Sequence, residues 1–134
     1  MTAMPNDVLR VKEIDRLIDD LHRHLDAFNL DERTALSPET FEEEALADLL
    51  FIDMYHILEE ASNLSFETQN SYPDIPWTQI RGMRNRFARE CFNLNREVAR
   101  SVIENDLEPL QTMTQSFLAA CDAGDAHDGK RRNQ

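Results

Sequence analysis

The chain has 134 residues, 41% hydrophobic and 30% charged, with a net charge of −12. That length fits one domain with a single core, and no apolar run reaches the length of a membrane span. The charge opposes general adhesion to DNA, RNA or anionic lipid, so any nucleic-acid contact must be local.

No basic-then-apolar leader opens the chain, and a cytoplasmic location is expected. Cys91 and Cys121 stand far apart, without a CxxC or His-rich spacing. Reduced thiols are therefore expected rather than a disulfide framework or a zinc site; no metal and no cofactor is implied. Glycine is scarce and no Val/Ile/Thr-rich alternating run is present. Apolar residues recur instead at helical spacing, which predicts an all-α bundle of four amphipathic helices.

Residues 1–5 read as a frayed start, with Asn6 or Asp7 as a cap. Val8, Val11, Ile14, Leu17, Ile18, Leu21, Leu25 and Phe28 then repeat at three- and four-residue steps, an amphipathic helix of about six turns. Residues 29–37 read as a connection. Ser37-Pro38-Glu39 supplies a cap, a first-turn Pro and an early acid for a second helix over 38–64. Its main stripe is Phe41, Ala45, Leu49, Ile52, His56, Ile57 and Ala61, widened by Leu46, Leu50 and Met54. Two apolar faces predict a central helix that packs on its own bundle and on a second subunit. Residues 65–76 read as a loop, broken by Pro73 and Pro76.

The third helix is predicted from Pro76–Trp77 to about Phe92, with Ile80, Met83, Phe87 and Cys91 as its seam. Beside the seam lie Arg84, Ala88, Arg81, Asn85 and Arg89, while Arg86 and Glu90 form an i,i+4 pair. Residues 93–95 break the run. A fourth helix carries Val98 through Cys121, with Pro109 expected to kink or divide it. Residues 122–134 lack large apolar side chains and are expected to be a disordered tail, leaving one domain over 6–121.

Residues 78–100 carry six Arg against two Glu, a local net of +4 in a chain whose remainder sums to −16. Arg on an exposed helix face is most often solvated or paired with the protein's own acids. The functional reading is a phosphate site: guanidinium forks suit phosphate oxygens, and Asn85 adds a neutral donor beside Arg81, Arg84 and Arg89.

The strings Tyr72-Pro73, Ile75-Pro76-Trp77, Gln79-Ile80-Arg81-Gly82-Met83-Arg84-Asn85-Arg86 and Glu104-Asn105-Asp106-Leu107 resemble the HepT family of the HEPN superfamily. These are ribonuclease toxins paired with a minimal nucleotidyltransferase antitoxin. The likeness spans roughly residues 6–118. It implies a four- to five-helix up-down bundle of HEPN type, a two-fold homodimer and a composite cleft where the third helices of both subunits meet. RNA is then the substrate and the nucleotidyltransferase a partner. The family signature is Arg, four to six residues, then His, with Tyr two residues later. Arg84 and Asn85 match its opening, but Arg89 stands at the His position and Cys91 at that of the Tyr.

The cleavage implied is metal-independent: the RNA 2′-hydroxyl attacks the adjacent phosphate, leaving a cyclic phosphate and a 5′-hydroxyl. It needs a group that titrates near neutral pH, and His supplies one. Arg stabilises phosphate charge but stays protonated. The resemblance therefore implies a weak or inactive ribonuclease, in which Arg84 and Arg81 grip phosphate, Asn85 supports them and Arg89 is an added cation. The alternative is a non-catalytic dimeric module that binds RNA, a nucleotide or a protein through the Arg cleft. Cys91 lacks the hydroxyl that accepts AMP from the antitoxin, and as a seam residue is expected to be buried. Of the other histidines (His22, His24, His56 and His127), His56 is the candidate base should cleavage survive, although a His on an apolar stripe is more often a hydrogen-bonded core residue.

Overall fold

The computed structural model describes residues 5–27, 38–89, 102 and 105–132, with side chains from Asn6 to Ala123 within those ranges. They form five helices: α1 (Pro5–Ala27), α2 (Phe41–Ser62), α3 (Phe66–Ser71), α4 (Trp77–Arg89) and α5 (Leu107–Arg132). The described residues contain no strand, so the fold is the expected all-α bundle. No described helix is long and apolar enough to cross a membrane.

The stripe predicted for α1 is the one that packs. Val11, Ile14, Leu17, Ile18 and Leu21 are buried, and Val8 and Leu25 lie against the core edge. Burying a side chain of this size is worth about 1.5–3 kcal/mol. That outweighs the pairs of Arg16 with Glu13 and Asp20 on the exposed face, which water screens. α1 packs on α2 and α5, and α4 packs on the other flank of α2.

Asp7 does not cap α1, which already begins at Pro5. Its buried carboxylate accepts from the Ser65 N–H at 3.2 Å, the Ser65 hydroxyl, and the Thr68 hydroxyl at 2.6 Å. It thus ties the first turn of α1 to the first turn of α3. At the other end of α1, His24 Nδ1 and Asp53 Oδ2 are hydrogen-bonded at 2.6 Å, giving the buried Asp53 of α2 a partner.

α2 starts three residues later than the Ser37-Pro38-Glu39 signal predicts. Thr40 is the cap: its hydroxyl accepts from Glu43 N–H at 3.1 Å, and Glu43 Oε2 accepts from Thr40 N–H at 3.2 Å. This reciprocal capping box satisfies two of the helix's free N–H groups. The predicted main stripe is corrected as well. Ala47, Leu50, Met54, Ile57, Leu58 and Ala61 face the core, whereas Phe41 (83% exposed), Ala45, Ile52 (54%) and His56 are exposed. At 100° per residue Phe41 and Ile52 lie opposite Leu50 and Ile57, so α2 has two apolar sides, of which the described residues fill only one.

Residues 65–76 are not wholly loop. Ser65 caps the six-residue α3 by accepting from Thr68 N–H, and Thr68 and Gln69 are buried. The turn after it closes on Trp77, whose indole N–H lies 3.0 Å from both the Gln69 and the Tyr72 carbonyls. Pro76 provides the first acceptor of α4, bonded by Ile80 N–H at 3.0 Å. Ile80 and Phe87 of the predicted seam are buried and Met83 lies against the core. The Phe87 ring packs on Phe51 of α2 with centroids 6.3 Å apart.

Pro109 falls in the first turn of α5, where a missing N–H costs no helical bond; of the two expected outcomes the run is divided rather than kinked, with a turn at Asp106 between the helical Asn105 and Leu107. Leu107, Leu110, Met113 and Phe117 are buried. The buried Thr114 hydroxyl shares its proton between Gln111 O at 2.8 Å and Asp15 Oδ1 of α1 at 3.1 Å. The α5 backbone continues as helix to Arg132, beyond the point where the sequence pattern ends the domain; no proline interrupts residues 110–134. The predicted connection at 29–37 and the break at 93–95 lie outside the described residues.

Candidate functional site

α4 positions the Arg residues. Its seam anchors in the core through Trp77, Ile80 and Phe87, which turns the neighbouring strip along the flank of the bundle. Arg81, Asn85 and Arg89 follow one another at i, i+4 and i+8 and so share a line on the helix. Arg81 and Arg84 are partly buried, while Asn85 and Arg89 are exposed.

The two inner arginines are held by neighbouring helices. Arg81 donates to Gln69 Oε1 of α3 at 3.3 Å, and Gln69 in turn donates to Leu64 O at 3.0 Å. Arg84 donates from one terminal nitrogen to Glu59 Oε2 of α2 at 3.3 Å. Its Nε is buried and has no acceptor among the described residues. The side chains of Arg84 and Glu59 are about one-third exposed, 30% and 35%. Arg84 therefore does pair with one of the protein's own acids, yet keeps donors that this acid does not engage.

His56 is not the hydrogen-bonded core residue expected from its stripe. It is exposed on α2, with its ring set edge-on to Tyr55. It lines a shallow cleft of about 230 Å³ with Glu13, Leu17, Tyr55, Glu59 and Glu60. The cleft is joined to the Arg strip through Glu59, one turn from His56 and bonded to Arg84. His22 is exposed and His24 is committed to Asp53; the side chain of His127 lies outside the described residues, as does Cys91. Among the described residues no group of three or more His, Cys, Asp or Glu is placed to hold a metal ion.

Glu59 and Gln69 are absent from the sequence-based site. Gln69 falls in the stretch read as loop, and its carbonyl and amide brace Trp77 and Arg81 together. Glu59 lies 25 residues before Arg84, and only the packing of α2 on α4 brings them together. A weak signal was available: Glu59-Glu60 ends the second helix with two adjacent acids, an unfavourable place for negative charge unless cations lie close by. Arg84 and Arg10 are those cations.

Asp106, from the Glu-Asn-Asp-Leu string, sits where α5 begins, and burial pushes its carboxyl above the ordinary value. Its carbonyl accepts from Leu110 N–H at 3.2 Å.

A "Putative RNase TTE0752" of Caldanaerobacter subterraneus subsp. tengcongensis is 25% identical over 92 residues, covering 68% of this chain and 82% of that protein. No solved structure gives a significant match. Residues 14–117 match the family described as "Ribonuclease HepT-like", a span that runs from the buried stripe of α1 through the Arg strip to Phe117 of α5. The resemblance carried by the Ile-Pro-Trp and Gly-Met-Arg-Asn-Arg strings is thereby borne out: the chain belongs to the ribonuclease HepT-like family.

Proposed function

We propose that the chain is the toxin-type half of a nucleotidyltransferase-paired system, with the family's phosphate grip retained and its proton-transfer group replaced. Arg84 grips the RNA phosphate, Arg81 supports it and Asn85 adds a neutral donor. Arg89 contributes charge at the position where the family carries His. The observation behind this reading is Arg84 itself: its side chain is 30% exposed beside α2, and a single terminal nitrogen meets its one described acceptor, Glu59. A phosphate, with several acceptor oxygens, would satisfy a guanidinium that one carboxylate engages at a single nitrogen.

The homodimer belongs to the same proposal. The apolar side of α2 that the described residues leave open, with Phe41 83% exposed and Ile52 54% exposed, is the surface a second copy would cover. Its edge carries Glu59 and hence Arg84, so a dimer formed there would draw the two Arg strips together.

Because a guanidinium stays protonated, Arg89 does not replace the histidine as a base, and cleavage is weak or lost. Losing one acid/base group costs about 10²–10⁴ in rate. Arg89 thereby also favours the second reading, a non-catalytic dimeric module that binds RNA or another anionic partner. Arg89→His separates the two. If the scaffold is a ribonuclease lacking only its base, this variant generates cyclic-phosphate RNA ends at least about 10²-fold faster than the wild type. Equal, negligible cleavage by both would favour the binding module. Cleavage by the wild type that survives Arg84→Ala would sink the assigned roles.

A further inference from the structure

Arg84 is already occupied. Its acceptor, Glu59 Oε2, has the negative charge and the oxygen that a phosphate would bring, presented from α2 at 3.3 Å. We propose that Glu59 is a stand-in for the RNA phosphate, displaced when RNA binds, and that it sets the affinity of the site. This rests on the reading of Arg84 as a phosphate-gripping residue.

Three observations carry the proposal. The bond is long for an ion pair, since charge-assisted N–H···O bonds run at about 2.7–2.9 Å. Both side chains are about one-third exposed, and pairs of that kind are worth little, so exchange is cheap. Glu59 also has a second tether, because Asn63 Nδ2 donates to its other oxygen at 3.4 Å. Arg84 can therefore release the carboxylate without leaving it unpartnered. The displaced side chain opens toward the cleft lined by Tyr55 and His56, on the exposed side of α2.

The contact also explains how a partly buried cation is tolerated in the RNA-free protein. Without Glu59, Arg84 would carry its charge at the α2–α4 junction with none of the described acceptors. With Glu59 present, RNA must compete against an internal carboxylate. Binding is then weaker than the Arg strip alone would give, and only ligands with more than one acceptor oxygen gain by the exchange.

The test is a binding cycle on the full chain, with fluorescein-labelled oligouridylate followed by anisotropy at low salt. Glu59→Gln keeps the side-chain shape and an oxygen acceptor but removes the charge. It should bind RNA about two- to fivefold tighter than the wild type, the range that an ion pair of this exposure holds back. The gain should vanish in Glu59→Gln/Arg84→Ala. Glu44→Gln removes an exposed charge from the first turn of the same helix and should leave affinity unchanged. Glu59→Ala should behave as Glu59→Gln does, with circular dichroism checking that both remain folded. Weaker or unaltered binding by Glu59→Gln, with Arg84→Ala impaired, would show that Glu59 positions Arg84 rather than competing for it, and would overturn the proposal. An equal gain in Glu44→Gln would overturn it too, as a general charge effect. If Arg84→Ala binds as the wild type does, the phosphate reading fails and the proposal fails with it.

Discussion

Asp7→Asn tests the joint between α1 and α3. Asp7 is 3% exposed, and its carboxylate accepts from one backbone N–H and two hydroxyls, all some sixty positions away in the chain. Hydrogen bonds to a charged acceptor contribute about 1.5–3 kcal/mol each, and together they must outweigh the cost of burying the charge. Asn retains one acceptor oxygen and turns an NH₂ toward groups that are themselves donors. At least one bond is lost, and the expected destabilisation is about 2–3 kcal/mol, a large share of the stability of a small domain. The effect should depend on pH. Burial alone would raise the Asp7 carboxyl, but the Ser65 and Thr68 hydroxyls, the Ser65 N–H and the Arg10 charge outweigh it and hold it below its ordinary 3.8. As pH falls the unfolded chain therefore takes up this proton first. The contribution of Asp7 is complete above the ordinary value and is lost as pH drops through the depressed one. Asn has no such dependence, so the gap between the two proteins should narrow on acidification. Urea unfolding followed by far-UV circular dichroism, from about pH 7 down to about pH 3, measures both effects. A variant within about 0.5 kcal/mol of the wild type near neutrality, the range of an ordinary surface change, would refute the account. So would a deficit that stays constant on acidification.

Further outcomes follow from other contacts. Thr40→Ala should cost about 1 kcal/mol by removing the α2 cap, measured as a shift in urea midpoint; no shift would mean that Thr40 is not the cap. His24→Ala leaves the Asp53 carboxylate without its described hydrogen-bond partner and should cost about 1.5–3 kcal/mol; a loss below about 1 kcal/mol would show that the pair contributes little. Trp77→Phe removes the indole donor that lies against Gln69 O and Tyr72 O and should cost about 1–2 kcal/mol, read by thermal unfolding in far-UV circular dichroism. Ile52→Glu places a charge on the exposed apolar side of α2 and should turn the proposed dimer into a monomer in sedimentation velocity while leaving helix content unchanged; an unaltered dimer would move the interface elsewhere, and a monomeric wild type would refute the dimer.

The parts of the fold that were legible in sequence are those with a single solution. In α1 only one stripe is apolar, so Val11 through Leu21 could pack in one way alone. α2 has two stripes on opposite sides, and periodicity carries no information about which side meets the bundle. Leu50, Met54 and Ile57 took the core, and Phe41 and Ile52 were left outside. The Ser-Pro-Glu cap signal lost to Thr40 with Glu43, whose reciprocal bonds satisfy two N–H groups. α3 has six residues, too few to show a period, and Ser65 with Thr68 was its only local mark. At the site, the motif strings located α4 and its arginines. What those arginines touch depends on helix packing: Glu59 and Gln69 come from two other elements, and nothing local in the sequence pairs them with Arg84 and Arg81.

Trp77 gives the chain its own optical gauge. It is the only tryptophan, it is 8% exposed, and its ring spans the joint between α3 and α4. Its fluorescence therefore comes from one place, without the mixing that several indoles would bring. Arg81 lies one turn further along α4 and bonds the side chain of the same Gln69 whose carbonyl meets the indole. Any event that unseats α4 exposes the ring to water, and the emission moves to longer wavelength. The unlabelled protein can thus report in real time whether the Arg strip is in place, during refolding, on titration with RNA, or as a second copy docks.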